Sequence, residues 1–290
     1  MSLAVNSLAY WNSRFAGDWD ELLGRRQSRF FGQLARALWP SWLADRVKCG
    51  GLKLCDWGCA LGDGTVELLP LFGGLVTGVD FSEVAIKKAI RYYPECRFVA
   101  RDWLSHSTAE DDDFFDVVFS SNTLEHFIDP WAVFKVLAAR SRAYIVLLLP
   151  FDEPINAMNA EHLTRFDRSS IRICPMAGWV LCDAAVSDLG PSPFWPGKQV
   201  LLVYGRDSEL AELPFFDSYS RQSRLLSDLE SQVQSDALVE ITRQRDIASN
   251  SLTEVVGLYH ALMLEHRQLL DSRTWRFTEP FRRWASKWNT

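Results

Sequence analysis

The residues best suited to hold a ligand form a glycine-rich turn between a predicted strand and a predicted helix. The segment Leu54–Thr65 reads Asp-x-Gly-x-x-x-Gly-x-Gly from Asp56, with glycines at Gly58, Gly62 and Gly64. Glycines allow positive φ angles and a close approach of the backbone to a ligand, and the amides of the following helix face it. A carboxylate at the end of the strand would repel a pyrophosphate and attract a cation. The turn therefore predicts a site for a positively charged ligand.

Further acids follow at the ends of the next two predicted strands. Asp80 and Phe81 end the second strand, and Asp102 and Trp103 follow the third. A carboxylate at the first position can accept hydrogen bonds from both hydroxyls of a ribose. At the second position, the acid can accept from an adenine amino group and the indole can stack on the base. The pattern predicts a nucleoside at the carboxyl ends of the strands.

The elements that must position these residues alternate between short apolar runs and helical patterns. This alternation predicts an α/β fold with a mainly parallel sheet. Strands are expected at Leu52–Trp57, Leu75–Asp80, Cys96–Arg101, Phe115–Ser120, Ala143–Leu149, Val180–Val186 and Val200–Tyr204. Helices are expected at Asp63–Leu71, Glu83–Tyr92, Trp131–Ala139 and Arg168–Met176. A loop rich in Pro and Gly joins the last two strands, which favours an antiparallel final strand.

Taken in order, these strand-end segments resemble class I methyltransferases that use S-adenosylmethionine (SAM). The resemblance is to the subgroup with Leu-Glu-His after the fourth strand, which here is Leu124-Glu125-His126. It covers about residues 48–206 and implies a Rossmann-like seven-stranded sheet with SAM as the cofactor. The cofactor-binding residues that it implies are Asp56, Gly58, Cys59, Ala60, Gly62, Asp80, Phe81, Asp102, Trp103 and Asn122.

The cofactor turn departs from the family pattern at one position. Ala60 stands where a second glycine is more common. Alanine is small enough to leave the path of the ligand open. Because side chains disfavour the left-handed region, we expect the backbone at Ala60 to avoid a positive φ.

Methyl transfer to a sugar hydroxyl also needs a group that removes the hydroxyl proton. The catalytic candidates are His162, His126 and Glu125, because they follow the fourth and fifth strands, whose carboxyl ends open into one crevice. Histidine suits this role because its pKa lies near the working pH. His126 could instead order its loop beside the sheet. Two Glu-His pairs could together hold a divalent metal, but the sequence does not fix their separation, so no metal ligand is assigned.

The domain organisation is predicted as four segments. Residues 1–48 form an N-terminal helical cap, with aromatic residues at helical spacing from Tyr10 to Leu23 and a second helix ended by Pro40. Residues 49–206 form the SAM-binding domain. Residues 207–271 form a long helix whose imperfect heptads favour a coiled coil and a homo-oligomer, or else a helix packed on the domain. Residues 272–290 form a basic aromatic tail.

The tail connects the chain to a biological setting. Residues 272–283 resemble a short motif of enzymes from bacterial surface-polysaccharide gene clusters of the O-antigen type. The resemblance implies an O-methyltransferase for a glycan, with a tail that docks on a glycosyltransferase or a membrane surface. The tail could equally fold back on its own domain. Two other functions stay open: a methyltransferase for a small molecule or lipid such as a quinone, and a non-catalytic coiled-coil scaffold.

Composition limits the remaining possibilities. The net charge of −6 argues against general binding of nucleic acid, which needs clustered Lys and Arg. The six cysteines have no paired C-x-x-C spacing, which disfavours a zinc site built on cysteines and suits a reducing compartment. No secretory signal pattern is found at the start of the sequence. We therefore expect a cytoplasmic protein with, at most, a peripheral association with the inner membrane.

Overall fold

The computed structural model describes residues 4–105, 114–190 and 192–213 of the chain. The tail at 272–290 and nearly all of the predicted coiled coil lie outside the described residues, as does the run of four acidic residues at 110–113. None of the helices in these ranges combines the length and the apolar composition of a membrane-spanning segment.

Seven strands form one mixed sheet in the order β3-β2-β1-β4-β5-β7-β6. Strands β1 to β5 pair in parallel, whereas β7 runs antiparallel to both β5 and β6. The prediction of a seven-stranded α/β fold with an antiparallel last strand is therefore confirmed. The strands are β1 (Leu54–Trp57), β2 (Val76–Asp80), β3 (Arg97–Ala100), β4 (Phe115–Ser121), β5 (Ser141–Phe151), β6 (Trp179–Asp188) and β7 (Lys198–Arg206).

The helices that follow β1, β2 and β4 begin with recognisable signals. Helix α4 (Asp63–Phe72) starts after Gly62, and α5 (Glu83–Tyr92) starts with the Ser82 hydroxyl accepting from the Ala85 amide. Helix α6 (Pro130–Ala138) is capped by Asp129, which accepts from two amides of its first turn. A short helix, α7 (Asp207–Ala211), follows β7. These caps fix where each crossover leaves the sheet, and thus where the strand ends open.

Three helices precede the sheet and are named here the cap: α1 (Leu8–Ala16), α2 (Gly24–Leu38) and α3 (Ser41–Gly50). The first is shorter than predicted, because it ends at Gly17 and the chain turns from there to Leu23. Pro40 both follows the end of α2 and precedes α3, a third helix that the periodicity did not separate. Pro is well placed there because it cannot continue a helix but fits before one.

The predicted helix at Arg168–Met176 is wrong. The Asp167 carboxylate accepts from the amides of Ser169 and Ser170, which closes a turn instead of a helix. Pro175 removes one backbone donor from the same segment. The carbonyl of Ile173 accepts from the Leu181 amide, so the segment pairs locally with the start of β6.

The central strands are buried on both faces, as parallel strands under two helical layers should be. The cap packs against this layered core through close contacts of α2 with α4. A Cβ at Gly32 would lie 2.6 Å from the Gly64 carbonyl oxygen, so small residues let the two helices meet. The Arg25 Nε atom is 3.1 Å from both oxygens of the buried Asp63 carboxylate. The cap is therefore held beside the turn that follows β1.

Candidate functional site

A cavity of about 740 Å³ opens at the carboxyl ends of β1 to β5, beneath the cap. This volume lies in the upper part of the range of about 300–1,000 Å³ for ligand pockets. Twelve of the thirteen residues predicted for the site line it. They are Asp56, Gly58, Cys59, Ala60, Asp80, Phe81, Asp102, Trp103, Asn122, Glu125, His126 and His162. One cavity thus contains both the predicted cofactor residues and the predicted catalytic residues.

Two of the three glycines of the turn, Gly58 and Gly62, have different roles. Gly58 has a φ of 81°, and a Cβ there would lie 2.7 Å from the Thr123 hydroxyl oxygen. Its backbone therefore forms the cavity wall where β1 and β4 end side by side. Gly62, the thirteenth predicted residue, has a φ of 82° and faces Phe98, whose ring a Cβ would approach to 2.5 Å. Gly62 allows the turn to pack and to enter α4.

The expectation for Ala60 is wrong, because its φ is 49°. A left-handed conformation costs an alanine roughly 1–2 kcal/mol. The strain coincides with a hydrogen bond: the Ala60 amide donates to Asp80 Oδ2 at 2.9 Å. With Ala60 in this conformation, the bond joins the turn after β1 to the end of β2.

Two buried carboxylates lie at adjacent strand ends. Asp56 accepts from the Thr65 hydroxyl at 2.6 Å, and Asp80 Oδ1 accepts from the Ser82 amide at 2.8 Å. Burial raises the pKa of each to about 6, against the opposing effect of these hydrogen bonds. Among the described residues, no cationic side chain forms an ion pair with either. This pair of acids is suited to a cationic ligand.

The adenine side of the predicted site is only partly as expected. Asp102 Oδ1 accepts from the amides of Leu104 and Ser105, which orders the turn after β3. Trp103 is 2% exposed, and its ring stacks with that of Trp57 at a centroid distance of 6.3 Å. Its indole is therefore part of the wall and does not form the open stacking platform that was expected.

The opposite side of the cavity brings Glu125, His126 and His162 together. Glu125 and His126 lie in a single 3-10 turn, Leu124–His126, after β4. His162 lies in the connection between β5 and β6, and its Nε2 is 3.9 Å from Glu125 Oε1. The two imidazole centroids are 5.2 Å apart. Three catalytic candidates from two separate loops thus form one cluster.

Each histidine of this cluster is oriented through Nδ1. His162 Nδ1 is 2.8 Å from Glu153 Oε2, and His126 Nδ1 is 3.0 Å from the carbonyl oxygen of Glu161. A carbonyl can only accept, so the neutral form of His126 carries its proton on Nδ1 and its lone pair on Nε2. A carboxylate has the same effect on His162.

Glu125 is the unusual member of the cluster. Its side chain is fully buried, and neither carboxylate oxygen has a hydrogen-bond partner among the described residues. Burial raises the pKa of Glu125, and the neighbouring histidines oppose the rise. Burial lowers the pKa of His162, but the hydrogen bond to Glu153 and the charge of Glu125 outweigh burial, so the pKa is raised overall.

Residues from other elements complete the site and were not predicted. On α1, the Tyr10 hydroxyl donates to the Glu161 carboxylate, and Asn12 Oδ1 accepts from the Ser82 hydroxyl at 2.5 Å. Trp195, in the loop before β7, stacks on His162 at a centroid distance of 5.9 Å. Gln199 Nε2 donates to Asn122 Oδ1 at 3.0 Å. The aromatic content of the first helix was the only sequence signal for such closure.

Comparison with known proteins agrees with this arrangement. Residues 54–143 match a family model described as a methyltransferase domain. No curated protein matches the sequence. One similar solved structure is a chain from the complex of the Haloferax volcanii Trm112 methyltransferase activator with a methyltransferase. It is 17% identical with a TM-score of 0.50, and the match covers 71% of this chain and 99% of that chain. Magnesium protoporphyrin IX methyltransferase from Synechocystis PCC 6803 with bound SAH has 16% identity, a TM-score of 0.50, and coverage of 68% and 97%.

The solved structures bear on the fold, and the family match bears on the activity. The matched segment begins at the first residue of β1 and ends in β5, so it contains the cofactor turn, Asp80 and the Leu124–His126 turn. A scaffold without catalysis is therefore set aside. The chain therefore contains a methyltransferase domain at the centre of its seven-stranded sheet, which supports SAM-dependent methyl transfer.

Proposed function

We propose that the chain transfers the methyl group of SAM to a hydroxyl group of a glycan of the bacterial surface-polysaccharide type. The observation that supports transfer to a hydroxyl group is the position of Glu125 and His162. They lie 3.9 Å apart in the cavity that also contains the cofactor turn. A hydroxyl acceptor requires a base that takes its proton as the new bond forms. The methyl group of SAM is already activated and requires no such catalytic group.

The residues present fit the cofactor. Asp56 and Asp80 are buried acids without a cationic partner among the described side chains, and a positively charged nucleoside would compensate them. Gly58 lines the cavity with backbone alone, because a side chain there would press on Thr123. Asp80 would hold the ribose hydroxyls and Asp102 the adenine amino group. When bound, SAM supplies a methyl group activated by the adjacent positive sulfur.

On the acceptor side, the chain provides a proton acceptor that is already oriented. The Nδ1 bond to Glu153 directs the His162 lone pair at Nε2 towards Glu125. In the absence of any other ligand, Nε2 of His162 takes the hydroxyl proton. Glu125 then stabilises the imidazolium that forms, as a carboxylate beside a catalytic histidine does. His126 closes the cluster through its bond to the Glu161 carbonyl.

A glycan is the favoured acceptor for two reasons. The cavity combines the rings of Trp11, Trp19 and Trp195 with hydrogen-bonding groups, and a sugar presents both C–H faces and hydroxyls to such a wall. The resemblance of residues 272–283 to the polysaccharide-enzyme motif supports the same class. Docking of this tail on a glycosyltransferase or a membrane surface, and oligomerisation through residues 207–271, belong to the same proposal.

A second acceptor class is favoured by the apolar part of the wall. Trp11 and Phe15 stack with centroids 5.7 Å apart, and Trp19 packs edge-on against Phe15 at 5.1 Å. A small phenolic or quinone-like molecule would bury its ring against such a surface. The proton requirement is the same for both classes, so the cluster at Glu125 does not separate them.

The experiment that tests the proposal follows the methyl group. The full chain is incubated with SAM carrying a labelled methyl group and with polysaccharide and oligosaccharide fractions from the source organism. Label in a methyl ether of a sugar, identified after hydrolysis and resistant to alkali, is the expected result. Label only in an isoprenoid phenol would move the function to the second class, and alkali-labile label would indicate an ester and contradict hydroxyl transfer. Asp80→Ala serves as the inactive control.

A further inference from the structure

The cluster at Glu125 has the donor atoms and spacing of a metal site. One potential ligand atom from each of Glu125, His126 and His162 lies within 4.8 Å of one from each of the others. His162 Nε2 and Glu125 Oε1 are 3.9 Å apart. Ligands on one first-row metal ion, each bound at about 2.0–2.2 Å, are separated by roughly 3–4 Å. The Glu125–His162 pair already has this spacing, and a pair 4.8 Å apart would have to close by about 1 Å to bind one ion.

The hydrogen-bond partners of the two histidines are of the kind found next to metal ligands. A histidine that binds a metal commonly donates its other ring N–H to a carboxylate or a backbone carbonyl. Here His162 donates to Glu153 and His126 donates to the Glu161 carbonyl. Both imidazoles therefore present their Nε2 lone pairs, the form in which neutral histidine binds a metal.

The charges of the acids around the cluster also favour a bound cation. Glu161 is compensated by the Tyr10 hydroxyl and by Arg14 at 3.9 Å, and Glu153 is compensated by His162. For Glu125, the nearest recorded ion-pair partner among the described residues is His162, whose Nε2 lies 3.9 Å from Oε1. Neither oxygen of Glu125 accepts a hydrogen bond from a described residue, although the side chain is fully buried and lines the cavity. A buried carboxylate with two unsatisfied oxygens is costly. A cation bound there would remove that cost.

We propose that Glu125, His126 and His162 hold a divalent cation of the Zn²⁺ type, with its remaining coordination positions open to the cavity. Two imidazoles and one carboxylate suit a borderline first-row ion such as Zn²⁺, Fe²⁺ or Co²⁺, whereas Mg²⁺ prefers oxygen ligands. Such an ion takes over the role given above to His162, because it lowers the pKa of a hydroxyl that reaches it. That catalytic consequence rests on the proposed function, but the binding of the ion does not.

The test measures binding directly, without an acceptor. The full chain is stripped with a chelator and titrated with Co²⁺, and the visible absorption of the bound ion is recorded. One Co²⁺ per chain, displaced by Zn²⁺ and showing no thiolate charge-transfer band, is expected. Glu125→Gln and His162→Ala should each weaken binding by about 100-fold or more, and Glu153→Ala by about 10- to 100-fold, the usual effect of removing an outer partner.

The matched control is Glu21→Gln, which removes an exposed carboxylate outside the cluster. Circular dichroism verifies that each variant is folded. Absence of stoichiometric Co²⁺ binding by the unaltered chain would overturn the proposal, as would unchanged binding by folded Glu125→Gln. Calorimetry of SAM with the metal-free chain separates the two proposals. Loss of SAM binding there refutes the proposed function, whereas retained SAM binding without Co²⁺ binding refutes only the ion.

Discussion

The backbone amide of Ala60 donates a 2.9 Å hydrogen bond to Oδ2 of Asp80. This bond joins the turn after β1 to the end of β2, so the two parts of the cofactor site cannot move independently. The other oxygen of Asp80 accepts from Ser82, and each carboxylate oxygen retains a further lone pair for a ligand. One acid therefore both shapes the turn and remains available to the ribose.

Asp80→Ala is expected to weaken SAM binding by about 10- to 100-fold, measured by calorimetry. A hydrogen bond to a charged group contributes about 1.5–3 kcal/mol, and each 1.4 kcal/mol is a factor of ten in affinity. Glu83→Ala removes an exposed carboxylate at the start of the next helix and should leave the affinity unchanged. Equal affinities for the unaltered chain and Asp80→Ala would contradict the assignment of this site.

Gly58→Ala is expected to abolish SAM binding and to lower the free energy of unfolding by more than the same change at Gly51. Both glycines have a positive φ, and the conformational cost of a side chain there is roughly 1–2 kcal/mol. A Cβ at Gly51 would meet nothing within 4 Å, whereas one at Gly58 would also press on Thr123. Urea denaturation measures the difference. Adding Thr123→Ala should recover part of the stability, and equal losses at the two glycines would show that contact with Thr123 is unimportant.

Ala60→Gly is expected to preserve SAM affinity and to leave stability equal or higher by up to about 1 kcal/mol. The change relieves the left-handed strain of roughly 1–2 kcal/mol. Glycine also gives the unfolded chain more conformational entropy, which offsets about 0.4–1 kcal/mol of this gain in stability. Urea denaturation measures the outcome. Ala132→Gly, at an exposed position on α6, has no strain to relieve and should cost up to about 1 kcal/mol. A comparable loss at Ala60 would mean that its φ is not strained.

The strand ends were the predictable part of the site. Asp56 and Asp80 could be placed because a strand pattern followed by a turn fixes which residue stands at the carboxyl end, and parallel strands bring such ends together. The antiparallel β7 was predictable for a related reason, since the connection before it lacked a helical pattern. Local sequence patterns were sufficient to place a residue wherever it directly follows the strand or helix that positions it.

The rest depended on contacts between distant segments. Nothing near His162 indicates that Trp195 stacks on it or that Tyr10 reaches Glu161, because no periodicity relates these loops. The strain at Ala60 was missed because propensity favours a negative φ, and a hydrogen bond to Asp80 outweighed that preference. The false helix at 168–176 arose similarly, because the apolar spacing was read without the Asp167 turn.

Burial of Asp56 leads to a pH dependence whose sign can be stated. The pKa of Asp56 in the folded chain is about 6, above its ordinary value of 3.8, so the folded state binds the proton more tightly than the unfolded state. The contribution of Asp56 to stability is therefore greatest below pH 4 and is lost as the pH rises towards 6 and above. A shift of about two pKa units corresponds to about 3 kcal/mol.

Asp56→Asn removes this titration but keeps an oxygen that can accept from the Thr65 hydroxyl. We expect the free energy of unfolding of Asp56→Asn, relative to the unaltered chain without SAM, to rise by about 2 kcal/mol between pH 4 and pH 7. Urea denaturation at a series of pH values measures the difference, and Asp188→Asn, at an exposed position, should show no such trend. A difference between the two curves that stays constant with pH would mean that Asp56 titrates at its ordinary value. A variant that gains stability at pH 7 while losing SAM would show that the buried charge is retained for the cofactor.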